Sequence, residues 1–229
     1  MDELDPAALP DDFAARFRSE RREPCQLYLI SPPEIGEAFV ERLAEAFDAG
    51  PVAAFQLRLK GLDDHAIARL ATPLQTLCAA HDVAFIVNDS IALAKRLGAD
   101  GVHLGQSDGD PREARQVLGR DVQIGVTCHN SRHLAMEAGE AGADYVAFGA
   151  FYPTGTKSVE HFADPGILRW WSTLFPLPSV AIGGITPQNA RPLIAAGADF
   201  IAVSGAVWNA DEGVASAVRA FSAVLSEPG

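Results

Sequence analysis

Gln56, Arg58 and Lys60 stand at alternate positions of one mostly apolar run, so on a strand they point to the same side. An amide and two cations held together there are costly to bury unless an anionic ligand joins them; the plainer reading is surface ion pairing by side chains that reach to water. Asn88-Asp89 and Gly105-Gln106-Ser107-Asp108 close the next two apolar runs. Carboxylates at neighbouring strand ends suit a shared magnesium ion, a hard cation that takes oxygen ligands and keeps several waters. Taken singly, Asp89 reads as a helix cap and Asp108 as a turn residue. Taken with Arg58, Lys60, Asn88 and Lys157 they fit a metal–diphosphate site, where the ligand's charge calls for both a cation and basic groups. Pro153-Thr154-Gly155-Thr156-Lys157 adds two hydroxyls, a glycine and a cation in a loop that can wrap a phosphate, though without the Walker spacing.

Gly183-Gly184 and Ser204-Gly205 follow two later runs. They read either as tight turns or as bare backbone N–H groups placed for a phosphate. Cys128-His129 invites a nucleophile, but no partner acid is evident, and the thiol reads as a small hydrophobe. His103 reads as a packing residue in a barrel core or mouth, and Trp170-Trp171 as core or interface residues of an outer helix.

These residues need strands to carry them. Short apolar runs at Gln26–Ile30, Val52–Arg58, Ala84–Val87, Gly101–Leu104, Val122–Val126, Tyr145–Phe148, Ser179–Ile182 and Phe200–Val203 predict eight parallel strands covered on both faces. Between them, apolar residues recur at helical spacing, as in Ala38-Leu43-Ala46-Phe47, Ile67-Leu70-Leu74-Leu77 and Leu134-Ala135-Ala138. A joint repeats almost unchanged: Gly98-Ala99-Asp100, Gly142-Ala143-Asp144 and Gly197-Ala198-Asp199 each precede a strand. It reads as a helix ending on a left-handed glycine. Asp110-Pro111, Asp164-Pro165 and Thr186-Pro187 mark helix starts. The pattern predicts an α/β chain folded as a single (β/α)8 TIM barrel over 25–229, with residues 1–24 as an N-terminal extension holding at most a short helix near Phe13–Arg18. The unusual residues all fall after strands, on the face where such barrels place their chemistry. A doubly wound sheet is the alternative, but Ser31-Pro32-Pro33-Glu34 is no glycine-rich phosphate loop.

Among 229 residues, 30 are acidic and 18 basic, a formal charge of -12 that disfavours nucleic acid as a partner. A phosphorylated small molecule must therefore meet locally gathered Lys, Arg and N–H groups. No run is long enough to span a bilayer, and the acidic N-terminus lacks a leader's layout. The three cysteines, Cys25, Cys78 and Cys128, are widely spaced and suit a reducing compartment. A cytoplasmic protein is expected, with its oligomeric state open.

In order and separation, Gln56-Leu57-Arg58-Leu59-Lys60, Asn88-Asp89, His103-Leu104-Gly105-Gln106-Ser107-Asp108, Pro153-Thr154-Gly155-Thr156-Lys157, Gly183-Gly184-Ile185 and Val203-Ser204 resemble the motifs of thiamine phosphate synthases. The resemblance runs from about Gln26 to about Val207. It implies an Mg²⁺-dependent transferase that joins hydroxymethylpyrimidine diphosphate to a thiazole phosphate and releases pyrophosphate. By position, it implies that Gln56, Leu57, Arg58, Leu59, Lys60 and Asn88 hold the pyrimidine diphosphate and that Asp89 and Asp108 bind the metal. Thr127 and Lys157 would contact the diphosphate; Thr154, Gly155 and Thr156 the thiazole; Gly183, Gly184, Val203 and Ser204 its phosphate. Arg58, Lys60, Thr127 and Lys157 would carry the catalysis. The chain departs from the family's usual pattern at Leu59, Thr127, Ala150 and Gly205, and over Ser158–Ala163. A thiazole tautomerase-like isomerase and a non-catalytic precursor-binding protein share the fold and stay open.

Overall fold

The computed structural model describes residues 23–36, 38–153 and 162–226. Residues 1–22 of the expected extension, and Thr154, Gly155, Thr156 and Lys157 of the expected loop, lie outside the described residues. Eight parallel strands close into a barrel in sequence order: β1 Gln26–Ile30, β2 Ala54–Leu57, β3 Ala84–Asn88, β4 Gly101–Leu104, β5 Gln123–His129, β6 Tyr145–Gly149, β7 Ser179–Ile182 and β8 Phe200–Val203. Around them run α1 Phe39–Ala49, α2 Asp64–Ala80, α3 Ile91–Leu97, α4 Pro111–Leu118, α5 Arg132–Glu140, α6 Gly166–Leu174, α7 Arg191–Ala195, α8 Gly205–Trp208 and α9 Val214–Leu225. The (β/α)8 expectation holds. None of the helices among the described residues is long and apolar enough to cross a membrane.

Four strands depart from their expected bounds where the site lies: β3 runs one residue further, to Asn88, and β6 one further, to Gly149, and β2 and β5 change as well. β2 ends at Leu57, not Arg58, because the Arg58 backbone leaves the ladder to pair with a side chain. Its N–H donates to Ser31 Oγ at 2.9 Å, and that hydroxyl donates to the Arg58 carbonyl at 3.2 Å. β5 runs on through Thr127 and Cys128 to His129, with a register shift between Thr127 and His129 and a left-handed His129 (φ 52°). A bulge of this kind re-aims side chains at a barrel rim.

Two of the three expected helix starts are found. Asp110 accepts from the Arg112 N–H and Pro111 opens α4; Asp164 accepts from the Gly166 N–H just before α6. Thr186-Pro187, by contrast, starts no helix. Asn189 takes the Thr186 N–H on its side-chain oxygen and donates to the Gly184 carbonyl, making a turn, and α7 begins only at Arg191.

The apolar core has two layers. The larger lies between strands and helices and holds Phe55, Phe85, Phe148, Trp171 and Phe221. The Trp170 ring packs beside it under the Arg132 guanidinium, 4.6 Å away, so both tryptophans are packing residues. The smaller fills the lumen with Tyr28, Ile30, Ala54, Ile86, Tyr145, Ala147, Val180 and Ala202. The alternation of the two sets along each strand is that of a filled barrel.

The three repeated joints close the barrel's base. Gly98, Gly142 and Gly197 take positive φ. The aspartate after each pairs twice with one residue of the preceding strand. Asp100 with Phe85, Asp144 with Ile124 and Asp199 with Ser179 each give a main-chain N–H and receive one on the carboxylate. Arg115 adds a brace, bonding the Asp144 carboxylate and the carbonyls of Gly119, Val122 and Gly142. Arg115→Ala is expected to cost about 2 kcal/mol, since it strips a half-buried carboxylate and several carbonyls of a charged donor. Thermal unfolding should then fall by roughly 4–8 °C for a domain of this size; an unmoved midpoint would show that the brace is solvent-replaceable.

Candidate active site

The ends of β2, β3 and β4 bring the expected cationic and acidic residues together. Gln56, the last lumen-facing side chain of β2, is buried and donates to the Tyr28 hydroxyl at 2.9 Å. Arg58 is half-buried beyond it, and the Lys60 ammonium lies 3.6 Å from the Asp89 carboxylate. Asp89 is not a helix cap: Ser90 caps α3, accepting the Leu93 N–H on Oγ. Asp89 instead takes a left-handed backbone (φ 67°), with its N–H donating to the His103 carbonyl at 2.8 Å. Aspartate is one of the few residues besides glycine that visit that region readily.

Asp108 sits in the turn after β4, where one carboxylate oxygen accepts the Gly105 N–H at 3.1 Å. Sitting in the turn does not take it away from the mouth, because the carboxylate also reaches Asp89. Burial, then a hydrogen bond and like charge from Asp108, push the Asp89 carboxyl above its ordinary range, while Lys60 and Arg58 pull it back. Two oxygen donors that repel each other form a pair that a hard divalent cation relieves. Among the described residues no cluster of three or more His, Cys, Asp or Glu forms a fuller ligand set. The pair therefore fits an ion that keeps waters or ligand oxygens on its other positions.

Thr127 lies on the opposite wall and is joined to Gln56 through the lumen. Its hydroxyl is 2.8 Å from His103 Nε2, and His103 Nδ1 is 3.1 Å from the Tyr145 hydroxyl. That hydroxyl is 3.1 Å from the Tyr28 hydroxyl, which Gln56 reaches. The Gln106 amide holds the Thr127 carbonyl. Gly125 makes the crossing feasible, since a Cβ there would run into the Tyr145 ring. Burial pushes the Tyr28 phenol up to about 12 and Tyr145 well above its usual value, so both stay protonated.

On the β6–β8 side, Gly183 and Gly184 have φ of 103° and 65° and press against the segment after β6. A Cβ on Gly183 would meet Ala150, and one on Gly184 the Tyr152 and Pro153 carbonyls. The Tyr152 N–H donates to the Gly183 carbonyl at 3.0 Å. The glycines therefore do more than turn the chain: they admit a neighbouring main chain. Ser204 Oγ donates to the Ser31 carbonyl at 3.1 Å, so Ser31 ties the β8 end to the Arg58 backbone.

Three expected residues offer main chain only. Leu57, Leu59 and Val203 bury their side chains in the barrel–helix core. Cys128 is fully buried, and desolvation pushes its thiol up to about 12, which leaves no thiolate to attack. Sequence reasoning missed Ser31, Tyr28 and Tyr145, and gave His103 a packing role only. No sequence signal set them apart, because strands buried on both faces show no alternation that tells the lumen side from the helix side.

A family model described as thiamine monophosphate synthase matches residues 27–207. The chain is 64% identical over 208 residues to a thiamine-phosphate synthase of Erythrobacter litoralis, covering 89% of this chain and 97% of that one. It is 57% identical over 202 residues to one from Rhodospirillum centenum, covering 88% and 98%. Among solved structures, a thiamine phosphate pyrophosphorylase from Pyrococcus furiosus superposes with a TM-score of 0.77 at 31% identity, covering 87% of this chain and 95% of that one.

Proposed function

Because the chain belongs to the thiamine monophosphate synthase family, we propose that its mouth splits the labour between a metal–diphosphate half at β2–β5 and a thiazole-phosphate half at β6–β8. The enzyme is a transferase that condenses pyrimidine and thiazole moieties into thiamine phosphate. The observation that carries the mechanism is the convergence of Arg58, Lys60, Asp89 and Asp108 at one rim of the barrel.

Asp89 and Asp108 would hold Mg²⁺, which supplies charge neutralisation for a diphosphate leaving group. Gln56 and Asn88 hold the pyrimidine diphosphate, with the main chain at Leu57 and Leu59. Arg58 and Lys60 take the oxygens on which negative charge grows as the carbon–oxygen bond breaks and its electron pair leaves with diphosphate. Thr127 gives a hydroxyl to the same group, and Lys157 a further cation. Thr154, Gly155 and Thr156 are assigned to thiazole binding, while Gly183, Gly184 and the main chain of Val203 with Ser204 seat its phosphate. The thiazole nitrogen then bonds to the pyrimidine's methylene carbon; keeping it in line is the protein's other contribution. No protein nucleophile takes part, in keeping with a buried, protonated Cys128. We place the enzyme in the cytoplasm, where Cys25, Cys78 and Cys128 would persist as the unpaired thiols they are.

The test is an incubation of the full chain with pyrimidine diphosphate, thiazole phosphate and Mg²⁺, with thiamine phosphate read as fluorescent thiochrome. Product is expected, and its formation should stop with EDTA and resume with added Mg²⁺. Binding of the diphosphate without release of pyrophosphate would overturn the mechanism in favour of a precursor-binding protein.

A further inference from the structure

Four hydrogen bonds link five polar side chains through the barrel lumen, and the direction of the first constrains the rest. Gln56 donates its amide N–H to the Tyr28 hydroxyl, and an amide nitrogen does not accept. Tyr28, having accepted, has its own proton to give, and the Tyr145 oxygen lies 3.1 Å away. The Tyr145 hydroxyl lies 3.1 Å from His103 Nδ1, which can take its proton. A neutral imidazole whose Nδ1 accepts must carry its proton on Nε2. Thr127 Oγ lies 2.8 Å from Nε2, in reach of that proton. Thr127 has then used a lone pair, and its own O–H is left to donate at the half-buried mouth. The reverse order would strand the proton of Tyr28, whose side chain is buried in the lumen core, where an unused donor is costly. Only the direction from Gln56 to Thr127 leaves the last hydroxyl proton of the chain at the mouth, where a ligand can take it.

We propose that Tyr28, Tyr145 and His103 are positioning residues. They form a neutral, one-way chain that commits Thr127 to donate its hydroxyl proton to an oxyanion and keeps the Gln56 nitrogen turned inward, with its carbonyl as the acceptor left for the ligand. The chain supplies a donor to the anionic half of the site without adding charge, in contrast with Arg58 and Lys60 at the rim. It rests on the reading of Thr127 as a diphosphate contact, but its test does not need turnover.

Full-length protein labelled with ¹⁵N is examined without ligand at neutral pH by two-bond ¹⁵N–¹H correlation, which separates the histidine tautomers. His103 is assigned by the signal that a His103→Asn variant loses. The expected result is a proton on Nε2 of His103, lost as the sole form in Tyr145→Phe and Tyr28→Phe, which remove one hydroxyl each and keep the rings. In the coupled reaction, Tyr145→Phe should raise KM for the pyrimidine diphosphate on the order of tenfold and leave KM for the thiazole phosphate unchanged. Thr127→Ser should restore what Thr127→Val loses. A proton on Nδ1 in the wild type overturns the chain, as does an unchanged tautomer in both phenylalanine variants. The expected tautomer in a protein that makes no product would keep the chain and refute the catalytic reading instead.

Discussion

Asp89→Asn should cut turnover by roughly 100- to 1,000-fold, the loss of about 3–4 kcal/mol of charge stabilisation in the transition state, while leaving the barrel as stable as before or more so. Asparagine is the informative replacement because Asp89 holds φ 67°, and asparagine tolerates that conformation where alanine would be strained. The change keeps the side chain's size and removes its charge. In the metal-free protein that charge is a cost. The Asp89 carboxyl is raised by burial and by Asp108, so its ionised form is disfavoured in the folded state and opposes folding at neutral pH. The Lys60 pair that is lost is largely exposed, and such pairs contribute little. Thermal unfolding followed with and without Mg²⁺ checks both halves. Without metal the midpoint should hold or rise; with metal the wild type should gain stability and the variant should not. Undiminished turnover would move the metal elsewhere, and a large fall in the midpoint would make Asp89 a structural residue.

Gly184→Ala should damage the other half of the mouth. The residue combines φ 65° with a Cβ direction that points into the Tyr152 and Pro153 carbonyls. Those are main-chain atoms, held by bonds from the Phe151 and Tyr152 N–H groups to the Ile182 and Gly183 carbonyls, and cannot swing aside as a side chain would. Left-handed strain together with overpacking should cost about 3 kcal/mol, lowering the melting midpoint by roughly 6–12 °C. The folded fraction should bind thiazole phosphate at least about tenfold more weakly, because a small displacement of a positioning group is enough, with the pyrimidine diphosphate little affected. Equal weakening of both substrates would show that the two halves of the site are one rigid unit, contrary to the division proposed.

What could be read from the sequence, and what could not, separates along physical lines. Strand ends were legible to within a residue everywhere but at β5, because polar residues such as Asn88 and Arg58 interrupt the apolar runs there. The Gly-Ala-Asp joints were legible because they repeat. Whether Asp89 or Ser90 caps α3 was not, since both residues favour the position, and only geometry gives the cap to Ser90 and turns Asp89 to the mouth. The lumen chain was hidden for a different reason. Strands buried on both faces lack the alternation that would tell Tyr28 and Tyr145, which face inward, from core residues that face the helices. Thr186-Pro187 misled because it has the composition of a helix start, while Asn189 supplies a competing partner for the Thr186 N–H. Ser31 carried no signal of its own; its role exists only once β1, β2 and β8 lie side by side.

The base of the barrel counts in twos. Asp100 binds β4 to β3, Asp144 binds β6 to β5 and Asp199 binds β8 to β7, so each carboxylate clasps an even strand to the odd one before it. The corresponding place before β2 is Ala53, which meets Leu27 through its main chain alone. Described by its fasteners, the molecule is thus four quarter-turns, three of them buttoned and one left plain. The plain quarter is β1–β2, the one that carries Gln56 and leads into Arg58. A lineage that lengthens, duplicates or transplants parts of this barrel has natural seams after β2, β4 and β6, where chain can be exchanged without undoing a clasp.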